Sequence, residues 1–125
     1  MIDHVSFGVS DLARSTAFYE AALAAIGMTC LVTRPSSVGF GKRYPEVWLN
    51  LRPGMPPVPE ATGVHVCLRA RSEDAVRAFH AAALANGGTD DGAPGPRKAE
   101  MTPYFAAFVR DPDGNRLEVA TFPPM

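Results

Sequence analysis

The stretch HVSFGV at residues 4–9 returns 61 residues later as HVCLRA at residues 65–70, and this repetition decides the predicted fold. Each stretch leads into a segment that carries Ala-Phe, Ala-Ala-Leu-Ala and Gly at the same offset, at residues 17–27 and 78–88. Self-similarity at a fixed offset is typical of a duplicated structural unit. The sequence therefore predicts an internal repeat of two modules.

Both modules are predicted to contain a strand, a helix and three further strands. Alternation at residues 2–9 and 64–70 indicates the opening strands. Ser and acidic residues at 10–11 and 72–74 predict the helix starts, because their side chains cap free backbone N–H groups, and glycines at 27 and 87–88 predict the ends. The remaining strands are predicted at residues 29–34, 38–41, 47–51, 89–91, 104–109 and 117–122.

Three segments rich in proline and glycine are predicted to separate these elements. The run DPDGN at residues 111–115 predicts a hairpin turn, because proline presets one turn position and glycine supplies a positive φ. Residues 53–62 are predicted to be a stiff linker between the modules. Residues 92–103 are predicted to be a loop, in which Arg97 and Lys98 would either form a lid that recognises an anion or lie in solvent.

Charge and composition exclude several classes of function. Twelve basic and 13 acidic residues are interspersed and give a net charge of −1. The sequence therefore predicts no basic surface that would bind nucleic acid or an anionic membrane. The longest apolar stretch, residues 21–32, is shorter than the roughly 20 residues of a membrane span, and we expect no signal peptide. Cys30 and Cys67 match no redox or zinc motif and are predicted to be free, buried thiols in a reducing cytoplasm.

Two histidines and one carboxylate suggest a metal site. His4 and His65 occupy equivalent positions of the two opening strands, so a pseudo-twofold axis between the modules would bring their imidazoles together. Glu118 stands alone between Leu117 and Val119, where a carboxylate is costly unless it is exposed, paired or bound to a cation. His4, His65 and Glu118 would form a 2-His-1-carboxylate site with open positions. The plainer alternatives are a hydrogen-bonded core histidine and a vestigial site in a protein that only binds ligands.

The first module departs from the second at one informative position. Matching LNL at residues 49–51 to LEV at residues 117–119 places Asn50 where a second carboxylate would stand. An amide is a weak ligand for a transition metal. The pattern therefore favours three protein ligands over four.

The paired β-α-β-β-β modules, the histidine in each opening strand and the run DPDGNRLE at residues 111–118 resemble the vicinal oxygen chelate superfamily, which includes glyoxalase I, bleomycin-resistance proteins and extradiol dioxygenases. The resemblance spans residues 4–119. It implies an α+β fold in which modules at about residues 1–52 and 63–123 form one glyoxalase-like domain, a cupped, half-open barrel of eight strands. It also implies a homodimer and a divalent metal, Fe, Mn, Zn or Ni, in the cup. In glyoxalase I-like members the position of Asn50 supplies a fourth ligand, whereas the His-His-Glu set resembles that of the extradiol dioxygenases.

Three further side chains are predicted to line a substrate pocket. Arg69 shares a strand face with His65, and Trp48 shares one with Asn50. Tyr104 adjoins Phe105, so only one of these two rings can face the cup. A surface position for Arg69 and plain packing for the two aromatic residues are the alternatives.

We expect a cytoplasmic metal-dependent enzyme that binds a small oxygenated substrate through vicinal oxygens. Dioxygenase and lyase or isomerase chemistry both need the same open metal face, so the sequence does not separate them. The competing hypothesis is a non-catalytic, ligand-sequestering protein of the bleomycin-resistance type.

Overall fold

The protein is described by a computed structural model covering residues 1–99 and 101–123. The predicted order of strand, helix and three strands occurs twice. The first module contains β1 (Val5–Val9), α1 (Leu12–Ala24), β2 (Thr29–Thr33), β3 (Ser37–Gly41) and β4 (Val47–Leu51). A short 3₁₀ helix (Glu60–Thr62) lies between the modules. The second module contains β5 (Val66–Arg69), α2 (Glu73–Ala85), β6 (Thr89–Arg97), β7 (Tyr104–Arg110) and β8 (Arg116–Thr121).

The helix starts lie at the predicted caps. The Asp11 side chain accepts a hydrogen bond from Arg14 N at 3.0 Å, and the Ser72 hydroxyl accepts one from Ala75 N at 3.1 Å. Each bond satisfies a backbone donor that the first helical turn leaves free. No helix in the described residues is long and apolar enough to cross a membrane.

Each module builds one four-stranded sheet, in the orders β1-β4-β3-β2 and β5-β8-β7-β6. The opening strand of each module runs parallel to its last strand, and the other pairs are antiparallel. No strand pairing joins the two sheets within the described ranges, so no closed barrel forms in one chain. The fold is therefore α+β, with two separate curved halves.

One apolar core lies between the helices and one face of each sheet. Phe18 and Tyr19 of α1 and Phe79 of α2 are fully buried, and α1 packs against α2. Leu49 of β4 and Leu117 of β8 point into the same core. Burial of each such side chain contributes about 1.5–3 kcal/mol, so this shared core holds the two modules together.

The opposite face of each sheet carries the polar side chains. Because side chains alternate along a strand, the residues between core positions point away from the helices. On the first sheet these include Ser6 and Trp48, and on the second they include Cys67, Arg69 and Glu118. We call these surfaces the first and second open faces.

The run at residues 111–115 forms the predicted turn between β7 and β8. Gly114 adopts φ 95°, and its N–H donates to Asp111 O at 2.9 Å. The turn also contacts the first module: Tyr19 Oη donates to Asp111 Oδ2 at 2.7 Å, and Ser10 N donates to Asp113 Oδ2 at 3.0 Å. The turn thus fastens the second module to the start of α1.

The predicted loop at residues 92–103 is wrong in its first half. β6 continues to Arg97 through Pro94 and Pro96, with register shifts on both sides of Gly92. Strand β6 lies at the edge of its sheet, and proline is tolerated in an edge strand because one side of the backbone needs no partner. Arg97 is therefore the last residue of a strand and is not part of a lid.

Candidate functional site

The second open face holds a paired histidine and carboxylate. His65 precedes β5, Glu118 lies on the parallel neighbour β8, and His65 Nε2 stands 3.0 Å from Glu118 Oε1. Glu118 is only 5% exposed, and its second oxygen, Oε2, is buried with no hydrogen-bond partner among the residues that the structure describes. A buried carboxylate oxygen left unpaired is costly and marks a place where a cation would be stabilised.

Glu118 contributes to the raised pKa values of two other side chains on this face. Partial burial, followed by the negative charge of Glu118, raises the pKa of Cys67 to about 12. The same two causes, in the same order, raise the pKa of Tyr104. Cys67 is a free thiol, but it is exposed because it lies on the open side of β5, so the prediction that it is buried is wrong. Cys30 is also a free thiol, and it is half-buried. Both Cys67 and Tyr104 stay protonated at neutral pH.

Two arginines reach over aromatic rings on the second open face. The Arg69 Cζ atom lies 4.7 Å from the ring centroid of Phe122, which stacks on Tyr104 at 5.1 Å. The Arg97 Cζ atom lies 5.7 Å from the ring centroid of Phe108, a residue beside His65. The sequence patterns did not indicate Phe108 or Phe122 as site residues, although Phe108 shares a strand face with Tyr104 through the alternation along β7.

The first open face carries the other predicted site residues. His4 lies just before β1, half-exposed, with Nδ1 2.8 Å from Asp3 Oδ1. Trp48 is half-buried beneath Arg34, whose Cζ atom lies 5.2 Å from its ring centroid. Asn50 is also half-buried and pairs in register with Gly8 and Ser37.

The structure thus divides the predicted site between two surfaces. His65, Glu118, Arg69 and Tyr104 share the second open face, and the residues of the first open face are His4, Trp48 and Asn50. Within residues 1–99 and 101–123, no three His, Cys, Asp or Glu side chains are grouped closely enough to hold a metal ion. His4 therefore does not join His65 and Glu118 inside one chain. The third histidine, His80, bonds Asp90 Oδ1 at 2.9 Å and belongs to neither surface.

A cavity of about 390 Å³ borders the second open face. Tyr104 and Phe122 line it together with Pro96, Pro103 and Pro123. Neither His65 nor Glu118 contributes to its wall. The paired histidine and carboxylate consequently lie outside this cavity, on the open surface of the sheet.

Two βαβββ modules that share a core, each with an open sheet face, define a class of duplicated α+β proteins. A family model, the Glyoxalase/Bleomycin resistance protein/Dioxygenase superfamily, matches residues 1–119. The chain belongs to this superfamily.

Solved structures agree with this assignment. A glyoxalase/bleomycin resistance protein from Albidiferax ferrireducens T118 is 32% identical, with 94% of this chain and 96% of that chain covered and a TM-score of 0.84. A glyoxalase-related enzyme from Fulvimarina pelagi is 18% identical, with 97% and 87% covered and a TM-score of 0.71. An integron cassette protein from V. cholerae is 24% identical, with 98% and 95% covered and a TM-score of 0.62. The last two support the fold alone. No curated protein matches the sequence.

Proposed function

We propose that this protein is a metal-dependent enzyme of the vicinal oxygen chelate type, with His4, His65 and Glu118 as the metal ligands. The observation that carries the proposal is the pair formed by His65 Nε2 and Glu118 Oε1 at 3.0 Å, beside the buried and unpartnered Glu118 Oε2. Two donors of the 2-His-1-carboxylate set are therefore already held together. These two residues fit a divalent metal, Fe, Mn, Zn or Ni, but a third ligand is needed.

We propose that His4 of a second copy supplies the third ligand in a homodimer. In one chain both open faces reach solvent, with His4 on one and His65 on the other. Ile2 and Val64, close to these two histidines in sequence, are 81% and 68% exposed, which suits a surface that another chain covers. Placing the first open face of one copy on the second open face of another would join the three ligands twice per dimer.

The same arrangement would assemble the substrate pocket from both faces. Trp48 would form an apolar wall, and Asn50 would stand near the metal as a weak fourth donor. Tyr104, whose raised pKa keeps its hydroxyl protonated, would donate a hydrogen bond beside Glu118. Arg69 would orient the substrate from the edge of the face.

A bound divalent metal would supply Lewis-acid chemistry to two adjacent substrate oxygens. The residues of this chain bind and orient the substrate, and burial of Glu118 keeps water away from one side of the site. Elemental analysis of untagged protein measures which metal it holds. Iron or manganese would favour dioxygenase chemistry, and zinc or nickel would favour lyase or isomerase chemistry.

A second candidate function is ligand sequestration without catalysis, as in bleomycin-resistance proteins. The observation that favours it is that no three metal-binding side chains are grouped within the described part of one chain. Ligand binding that is unaffected by chelators, in protein that purifies without metal, would support this function.

The free thiols suit a reducing compartment, and we propose a cytoplasmic location. Cys30 and Cys67 form no disulfide. Disulfides are rare where glutathione and thioredoxin keep thiols reduced.

Glu118→Ala tests the proposed function. We expect calorimetric titration of the wild type with Mn²⁺ to give one site per chain. The variant should lose more affinity than the roughly 10- to 100-fold that follows loss of a residue merely supporting a ligand. Glu20→Ala, an exposed change on α1, is the matched control and should bind as the wild type does. Wild-type Mn²⁺ affinity in the Glu118→Ala protein would refute the site.

A further inference from the structure

Two arginines on the second open face differ from most other arginines of their module in having no carboxylate partner. Arg77 pairs with Glu73 and Asp74, while Arg110 and Arg116 both pair with Asp91. By contrast, Arg69 forms no hydrogen bond or ion pair in the part of the chain that the structure describes. The Arg97 guanidinium donates only to the backbone oxygens of Ala93, at 2.8 Å, and Pro96, at 3.3 Å.

The strand register places these two arginines at opposite edges of the same sheet. Arg69 on β5 pairs with Ala120 on β8, which pairs with Ala106 on β7, and Arg97 ends β6. With neighbouring strands about 4.8 Å apart, the two backbones are separated by about 14 Å. The Arg69 guanidinium lies over the ring of Phe122, whereas that of Arg97 turns back along β6 and lies over the ring of Phe108, the partner of Gly92.

Two glycines of β6 leave space for the guanidinium group of Arg97. A Cβ atom at Gly95 would stand 3.2 Å from Arg97 Nη1, and one at Gly92 would stand 3.4 Å from Arg97 Nη2. A side chain at either position would crowd the guanidinium. The row in register with Arg69 is also small, since it contains Ala120, Ala106 and Gly95.

The balance of charge on this surface favours an anion. Glu118 is already paired with His65. Asp91 is held by two other arginines. The Arg69 guanidinium lies on an aromatic ring and has no acceptor among the described residues, so its N–H edge is available for planar, bidentate recognition of a carboxylate.

We propose that Arg69 anchors the carboxylate of an aromatic acid on the second open face, with Arg97 as a more distant second cation. The rings of Phe108, Tyr104 and Phe122 supply the apolar surface for the aromatic part of this ligand. Arg69 is the principal anchor because it has no competing acceptor, and Arg97 is a second cation held in place by the backbone. This inference rests on the proposed function in one respect, since it takes the second open face to be the surface that binds substrate.

The test compares benzoate with benzamide, which share a ring and differ in charge. Binding is measured by NMR titration of metal-free protein in EDTA, so that the result does not depend on a metal site. We expect benzoate to bind at least about tenfold more tightly than benzamide, with the largest shifts at the Arg69 side-chain N–H signals. Equal binding of the two probes would overturn the proposal.

Variants locate the site. Arg69→Gln should weaken benzoate binding at least about tenfold, and Arg97→Gln should weaken it less. The matched control is Arg71→Gln, which removes the same charge from an exposed arginine beside a separate cavity between α1 and α2. Unchanged binding in folded Arg69→Gln protein, or a loss confined to Arg71→Gln, would refute the assignment.

A competitor tests the aromatic part of the proposal. Inorganic phosphate carries the charge without a ring and should not displace benzoate at equal concentration. Displacement would contradict an aromatic acid as the ligand. If the protein binds Mn²⁺ but does not bind benzoate, only this subsite is rejected. If it binds benzoate but does not bind Mn²⁺, only the metal site is rejected.

Discussion

Glu118 is the residue on which the proposed chemistry of the site depends. Alternation along β8 directs Leu117 and Val119 into the core and leaves Glu118 on the open face, where it is nevertheless 5% exposed. One of its oxygens is paired with His65, and the other is orphaned. An unsatisfied buried acceptor costs about 1–3 kcal/mol, so binding a cation here would remove a penalty that the folded chain carries.

The alkylation rate of the Cys67 thiol depends on the charge of Glu118. The thiol's pKa of about 12 leaves little thiolate at pH 8, and we expect iodoacetamide to react with it about a thousandfold more slowly than with an ordinary cysteine. Glu118→Gln removes the negative charge and should raise the rate several-fold. Mass spectrometry of alkylated peptides over time measures both rates.

Cys30 is the internal control for this measurement, because it lies on β2 in the first module. Its alkylation rate should be the same in the wild type and in Glu118→Gln. An unchanged or slower rate at Cys67 in the variant would show that Glu118 does not act on this thiol.

At the residue scale, the sequence predicted that His65 and Glu118 lie close together, but it did not predict the side chains that surround them. The pairing of His65 with Glu118 follows from local alternation, because β5 and β8 are neighbours and each residue occupies the open side of its strand. The stacking of Arg69 on Phe122 depends on long, flexible side chains whose contacts no spacing rule determines.

At the scale of elements, the turn at residues 111–115 links the two modules through hydrogen bonds. Asp111 is buried and accepts hydrogen bonds from Tyr19 Oη, from Asn115 N and from Asp113 N. Asn115 Nδ2 donates to Gly8 O at 3.0 Å, which ties the turn to β1 as well. The motif that is most specific in the sequence therefore has a structural task of holding the two sheets in place.

Asp111→Asn should destabilise the protein by about 1–3 kcal/mol, because an amide cannot accept all of these hydrogen bonds. Burial raises the pKa of Asp111 despite the bonds that lower it. A folded-state pKa above the unfolded value means that Asp111 contributes most stability below the unfolded pKa, near 4, and that this contribution declines as pH rises through the folded pKa. The stability gap between wild type and variant should therefore widen from pH 7 to about pH 4 in urea unfolding.

Asp11→Asn is a suitable control for this comparison, since Asp11 is an exposed cap and asparagine also caps helices well. A gap that narrows on acidification would mean that the folded protein lowers the pKa of Asp111, contrary to our account.

The positions of the helices and of their capping residues were predicted closely, whereas the length of the edge strand β6 was not. The caps at Asp11 and Ser72 depend on local hydrogen bonds and can be read from a few residues. The length of β6 depends on its pairing with β7, which holds Pro96 opposite Phe105 in the sheet. Such tertiary pairing overrides the local tendency of proline and glycine to end a strand.

At the scale of the molecule, the two open faces are the reason we propose that this duplicated chain acts as a dimer. The shared core joins the modules through their helices, and each sheet keeps one face in solvent. The repeat predicted two modules, but it could not predict that His4 and His65 lie apart in one chain. That separation results from how the helices pack, which involves residues distant from either histidine.

Subunit complementation tests the shared site most directly. His4→Ala and His65→Ala chains are each expected to bind no Mn²⁺, and the two are unfolded and refolded together. Half of the dimers should then be mixed, with one complete site in each, so about one quarter of the wild-type sites should return. His80→Ala, which removes a histidine bonded to Asp90, should keep full Mn²⁺ binding. No recovery in a mixture that forms dimers, or Mn²⁺ bound normally by either variant alone, would contradict a site built from two copies.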